Sequence, residues 1–242
     1  MRIEKSYTSI CFIKYRPALA WLGFLSMAVF RIPLWFRKDV QFFKLMGCGK
    51  GGSFDFHPDW QQWAIVAVHS NLLMPNQDEW LRKLYGRFIS GWIRNFYCES
   101  RLLILESTDG HGQWDGKNPF SFSNEPLQKD ESVAVLTRAS IRFGKLRAFW
   151  KNAADFNQQM TQKDGLQFSI GFGEMPFLKQ ATFSIWKNAD FMKSFAYQSE
   201  DHRKVIQRTR AEGWYSEEMF VRFRVVADQL TGGPAHQKTT TN

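Results

Sequence analysis

Four strand-like stretches in the first half of this chain recur in the second half at nearly constant spacing, which restricts the fold more than any other feature. Residues 7–15 (YTSICFIKY) find a counterpart in 133–142 (VAVLTRASIR), and 45–49 (LMGCG) in 169–173 (SIGFG). The segment 63–68 (WAIVAV) matches 181–186 (ATFSIW), and 98–106 (CESRLLILE) matches 218–226 (EMFVRFRVV). Counted from 7 to 133, 45 to 169, 63 to 181 and 98 to 218, the offsets are 126, 124, 118 and 120 residues. A helix-like stretch follows each first strand, at 17–38 and 144–160, and a second helix precedes each last strand. Strand, helix, two strands, helix, strand is the ferredoxin-like order, and a period this long marks duplication of a whole unit.

The expected fold is therefore α+β: two tandem ferredoxin-like (β-α-β-β-α-β) units packed sheet against sheet as an α+β barrel, with the helices outside. The first unit takes residues 1–108 and the second 132–228. The connection 109–131 holds Gly110, Gly112, Gly116, Pro119 and Pro126. The tail 229–242 lacks apolar periodicity and reads as disordered. A space between two such sheets is a natural apolar cavity.

Aromatic content supports an apolar ligand. Among 242 residues there are 23 Phe and 10 Trp, more than a core of this size needs. Cys11, Cys48 and Cys98 form no CxxC pair and are odd in number, which argues against a disulfide scaffold and for a reducing, cytoplasmic setting. A net charge of +9 and a pI near 9.5 invite a nucleic-acid partner. The densest basic patch, Arg203-Lys204 with Arg208 and Arg210, is interleaved with Glu200, Asp201 and Glu212, so nucleic acid is disfavoured. Weak attraction to an anionic membrane surface remains open, and would suit a lipid-soluble substrate. The apolar run 18–30 follows Lys14 and Arg16 and is ended by Arg31 and Pro33, short of the roughly 20 residues a spanning helix needs. It reads as a buried amphipathic helix.

The sequence holds no GxSxG, HExxH, P-loop or GxGxxG motif. The glycines of 47–52 surround Lys50 without a following Ser or Thr, so they read as a turn. Among the histidines, His57 and His111 fall beside glycines or proline in loops, His236 in the tail, and His69 at a strand end. His202 opens a helical stretch in which Val205, Ile206 and Thr209 share its face. Such an imidazole is either structural or a ligand, haem iron being one candidate. Arg203 and Arg210, seven apart on the adjacent face, are either solvated or available to haem propionates.

The segment 208–223 (RTRAEGWYSEEMFVRF) resembles the end of the spheroidene monooxygenases, carotenoid-oxidising enzymes of purple bacteria. Matching blocks at 43–47 (FKLMG), 136–142 (LTRASIR), 170–174 (IGFGE) and 182–186 (TFSIW) keep the same order; the first forty residues are less similar. The resemblance implies insertion of a keto group at C-2 of acyclic carotenoids such as spheroidene, using O2 and reduced ferredoxin at a haem. By analogy with related haem-binding barrels it places the metal on His202. Arg138 and Arg142 would contact the cavity or the haem carboxylates, unless both cap the sheet edge. Trp186, Trp214 and Tyr215 would line the polyene, unless they are ordinary core. The competing expectation is a barrel that binds an apolar small molecule without cofactor or catalysis.

Overall fold

The computed structural model describes residues 6–50, 57–70, 79–123, 125–151, 163–175, 177–198, 209 and 212–232. In chain order the elements are β1 (Ser6–Lys14), α1 (Ala20–Val29), α2 (Arg31–Trp35), β2 (Val40–Gly49), β3 (Pro58–Ser70), α3 (Trp80–Asn95) and β4 (Glu99–Gly112). They continue as β5 (Val133–Ile141), β6 (Leu166–Met175), β7 (Lys179–Trp186), α4 (Ala189–Gln198) and β8 (Tyr215–Thr231). All eight strands close into one barrel in the order β1-β3-β2-β6-β7-β5-β8-β4, and every neighbouring pair is antiparallel.

Alternation along each strand divides the residues between two surroundings. On β1, Ile10 and Phe12 point into the barrel, whereas Cys11 and Ile13 point outward under helices. Both faces are dry there, so the strand reads as a continuous apolar run. The interior is filled rather than hollow. Phe12 lies 5.8 Å from Phe172 and 6.3 Å from Phe183, centroid to centroid, among Val66, Leu103, Leu136 and Val221. An eight-stranded barrel is just wide enough for its own side chains to fill, so the expected cavity between two sheets is instead the core.

Three further expectations are corrected. The run 18–30 does not end at Arg31: helix resumes as α2, so the apolar segment Pro17–Trp35 is 19 residues long. Nor is it buried all round. Leu22, Gly23, Ser26, Phe30 and Leu34 pack inward, while Trp21, Phe24, Ile32 and Trp35 are exposed. Last, β4 runs to Gly112, through glycines that resemble a connection. A Cβ on Gly110 would sit 2.4 Å from the Phe220 carbonyl oxygen, and one on Gly112 would sit 2.1 Å from that of Glu218. These glycines mark the close approach of β8 rather than a turn.

The stretch expected as helix after β5 begins as a single 3-10 turn, Phe143–Lys145, followed by helix at 146–151. Most of the tail 229–242 lies outside the described residues, although β8 extends to Thr231.

The packed interior has a measurable consequence. Phe172→Ala is expected to lower unfolding free energy by about 3–5 kcal/mol, read from urea denaturation. The same change at Phe143, which is 83% exposed, is expected to cost at most about 0.5 kcal/mol.

Candidate functional site

The two halves of the barrel differ in what covers their outer faces. On the first half, Cys11, Leu45, Ile65, Leu102 and Ile104 are sealed beneath α1 and α3 by Leu22, Leu84, Tyr85 and Ile89. On the second half, one register row runs His111, Phe220, Thr137, Thr182, Gly171 across four strand pairings. Thr137 is exposed, and Phe220 and Thr182 are half-buried. Here the sheet presents small and hydroxyl-bearing residues where the other half presents a sealed apolar layer.

Two aromatic clusters border this floor. At one end Trp186 packs with Val133, Val135 and Met192, stacks on Phe195 of α4 at 5.1 Å and donates its indole N–H to Ser184 Oγ at 3.0 Å. At the other end Trp214 packs with Ile141 and Phe149, and Tyr215 lies against them. Trp214 donates its indole N–H to Glu212 at 2.9 Å and its backbone N–H to the Thr209 carbonyl at 3.0 Å. Burial pushes the Tyr215 hydroxyl up to about 12. A low floor between aromatic walls fits a flat or elongated apolar body.

The other sequence-derived candidates are dispersed. His202, Arg203 and Arg210 lie outside the described residues. Arg142 follows β5, exposes its side chain and donates Nε–H to the Tyr215 carbonyl at 3.2 Å, beside the second aromatic wall. Arg138 points into the barrel rather than capping the sheet edge, and its side chain is fully buried. His111 is exposed on β4 and stacks on Phe220 at 5.4 Å. Its place on the floor was missed because the flanking glycines resemble a turn. The floor left one trace in the repeat: the offset of 126 residues carries Cys11 onto Thr137.

Arg138 anchors a charged plug at one end of the interior. Inward positions beyond the apolar core carry Lys44, Arg138, Glu174, Lys179 and Glu217, and the turn after β4 adds Asp115. Arg138 pairs with Glu217, and lies 3.4 Å from Asp115 and 3.5 Å from Glu174. Lys44 bridges Asp115 and Glu174; Lys179 reaches Asp115 at 2.7 Å. Trp114 donates to Glu174 at 2.7 Å and lies under the Arg138 guanidinium. Burial alone would raise Asp115, but Lys179 and Lys44 outweigh it and hold the carboxyl at about 2. The plug is formally neutral, as three cations meet three carboxylates, and Arg138 spends its charge there.

His69 is enclosed on the sealed side. Its Nε2 lies 2.7 Å from Ser9 Oγ, which accepts the Tyr85 hydroxyl at 2.8 Å. Its Nδ1 has no hydrogen-bond partner among the described residues. Burial drives its pKa down to about 4, opposed by Asp39 and assisted by Arg37. This is the strand-end hydrogen bonder among the roles its sequence position allowed.

No protein-family model matches the chain. It is 35% identical over 219 residues to a spheroidene monooxygenase of Rhodobacter capsulatus, covering 88% of this chain and 86% of that one. A spheroidene monooxygenase of Rubrivivax gelatinosus is 31% identical over 215 residues, covering 87% and 78%. Among solved structures, an aldoxime dehydratase superposes with a TM-score of 0.56 at 10% identity, covering 93% of this chain and 82% of that one. That second kind of likeness is one of fold alone.

The enclosed imidazole sets a pH dependence. An unfolded histidine titrates near 6.5, whereas His69 titrates near 4. Between those values the unfolded chain binds the extra proton, so stability is complete above pH 6.5 and declines as pH falls toward 4. The loss amounts to about 3 kcal/mol. Denaturant titrations across this range are expected to show that slope in the parent and a flatter one in His69→Gln; equal slopes would refute the assignment.

Proposed function

The chain belongs to the spheroidene monooxygenase family, and from that premise we propose that it inserts a C-2 keto group into an acyclic carotenoid of the spheroidene type, with O2 and reduced ferredoxin. The observation that carries the reading to a place on the molecule is the contrast between the two outer faces. Among the described residues one face is sealed core, whereas the other leaves Thr137 exposed between aromatic walls. We read the halves as tandem ferredoxin-like units, 1–108 and 132–228, joined by 109–131; the strand orders β4-β1-β3-β2 and β6-β7-β5-β8 support this.

The floor also suits a haem. Thr137 is the exposed residue of the row, with Thr182 half-buried and Gly171 buried beside it; Trp186 and Trp214 bound it, and Arg142 brings a cation to its margin. Haem bound there would supply activation of O2. In sequence His202 falls between Phe195, stacked on one wall, and Thr209, whose carbonyl is held by Trp214 at the other. His202 would hold the haem iron, and Arg203, Arg210 and Arg142 would supply the cations that meet the haem carboxylates. Arg138 is not among them; committed to the plug, it steadies the strand that presents Thr137.

The remaining work belongs to the apolar walls. Trp186, Trp214 and Tyr215 would hold the polyene by area and ring contact, fixing C-2 over the floor and excluding water. Each of two hydroxylations at that carbon consumes O2, two electrons and two protons, and releases water. The resulting geminal diol loses a further water to leave the ketone. Glu212, beside the second wall, is engaged by Trp214 and Lys145.

The visible spectrum of protein expressed with haem precursor, compared with His202→Ala, tests this reading. A Soret band that shifts or disappears in the variant is the expected result. A band unchanged by the substitution would remove His202 as the residue that holds the iron. No band after haemin reconstitution would overturn the haem assignment and favour a barrel that binds an apolar molecule unaided.

A further inference from the structure

Pro17–Trp35 is apolar on both of its sides; one side packs on the barrel, and on the other, among the described residues, Phe24 meets the edge of Trp63 at 6.1 Å while most of the side stays exposed. Leu22, Ser26, Phe30 and Leu34 recur at helical spacing and pack on the barrel. Trp21, Phe24, Leu25, Ile32, Trp35 and Phe36 recur at the same spacing on the opposite side. Five of these six expose between 63 and 79% of their surface, and Leu25 exposes 41%. A helix apolar all round is stable when both sides are dry, and a continuous apolar patch of this size on a water-facing surface marks a contact region.

The charges around the stripe define what covers it. From residue 6 to residue 38 every ionisable acid or base of the Asp, Glu, Lys and Arg classes is basic: Lys14, Arg16, Arg31, Arg37 and Lys38. Lys14, Arg16, Arg31 and Lys38 are exposed, and Arg37 is paired with Asp39. Large aromatic and aliphatic side chains beside a predominantly basic margin, in which Glu99 faces Lys14 and Asp39 pairs with Arg37, match the boundary between acyl chains and anionic headgroups. Trp21 and Trp35, near opposite ends of the stripe, suit that boundary because indole is apolar over most of its area and carries one polar N–H. The inward side is committed to the barrel, so a bilayer that meets the folded protein here would lie along this segment and not be crossed by it.

We propose that the outward side of α1 and α2 is a docking surface for an anionic lipid bilayer. It rests on exposure and charge, independently of the chemistry assigned to the floor. It would also bring a barrel with an apolar working face to the phase in which long apolar substrates dissolve.

Flotation with vesicles tests the surface, comparing phosphatidylcholine mixed with phosphatidylglycerol against phosphatidylcholine alone. The parent protein is expected to float with the mixed vesicles, to show blue-shifted tryptophan emission and to be released by salt. Trp35→Ser combined with Phe36→Ser is expected to weaken partitioning about tenfold or more, with an unchanged unfolding midpoint because both residues are exposed. Arg31→Glu with Lys38→Glu, which keeps the stripe, is expected to abolish the preference for phosphatidylglycerol. Flotation that ignores either pair of substitutions would overturn the proposal. So would a parent dimer in sedimentation velocity that the serine substitutions convert to monomer, since a second copy would then be the occupant. Haem content and the His202→Ala spectrum are separate readouts, so failure here and failure there are distinguishable.

Discussion

Closure of the barrel is the constraint on which the rest depends, and it is secured at a short seam. Gly47 pairs with Gly173 and Cys48 with Phe172, and through these pairings β2 and β6 join the two half-sheets. Without that junction both strands would present unpaired backbone edges, which invite association with other chains. Closure also fixes which side chains face inward: once Cys48 and Phe172 enter the core, alternation commits Lys44 and Glu174 to the plug. The other junction, between β4 and β8, is long, running from Ser100 opposite Thr231 to Gly112 opposite Met219. In each junction two residues pair that the sequence offsets align. Cys48 and Phe172 are 124 residues apart, and Leu105 and Val225, paired across the long junction, are 120 apart.

This geometry leaves three kinds of surface. The inside is filled, apolar for most of its length and closed by ions at one end. A buried guanidinium among carboxylates adds little net stability compared with an apolar plug, but losing one partner would strand the others. The outer face of the first half is a second core. On the outer face of the second half Thr137 is exposed, at the position onto which the 126-residue sequence offset carries the wholly buried Cys11.

Much of this was legible in the sequence, and the failures have identifiable causes. Strand positions and their order follow from repeated apolar runs, because strands buried on both faces contain few polar interruptions. Strand lengths were less legible: Gly110 and Gly112 signal a turn by composition, yet are required by the β8 backbone. The inner position of Arg138 was hidden because its partners, Asp115, Glu174 and Glu217, come from three distant segments. Trp186 and Trp214 were recognisable as large buried rings, but sequence does not distinguish neighbours in one wall from members of two walls. The outward apolar stripe was read as buried because composition alone cannot say which side of an apolar helix faces the barrel.

We propose that one outer face of the barrel is structural and that the substrate reacts at the other. Carotenoid ketone formation by Thr137→Phe tests it most directly, with the unfolding midpoint recorded on the same sample. Thr137 is exposed, so the added ring is expected to leave the midpoint nearly unchanged, within about 0.5 kcal/mol of the parent. By filling the floor it is expected to reduce turnover about tenfold or more, equivalent to at least about 1.4 kcal/mol in the barrier. Undiminished turnover in a folded variant would contradict the claim and move the reaction elsewhere on the barrel.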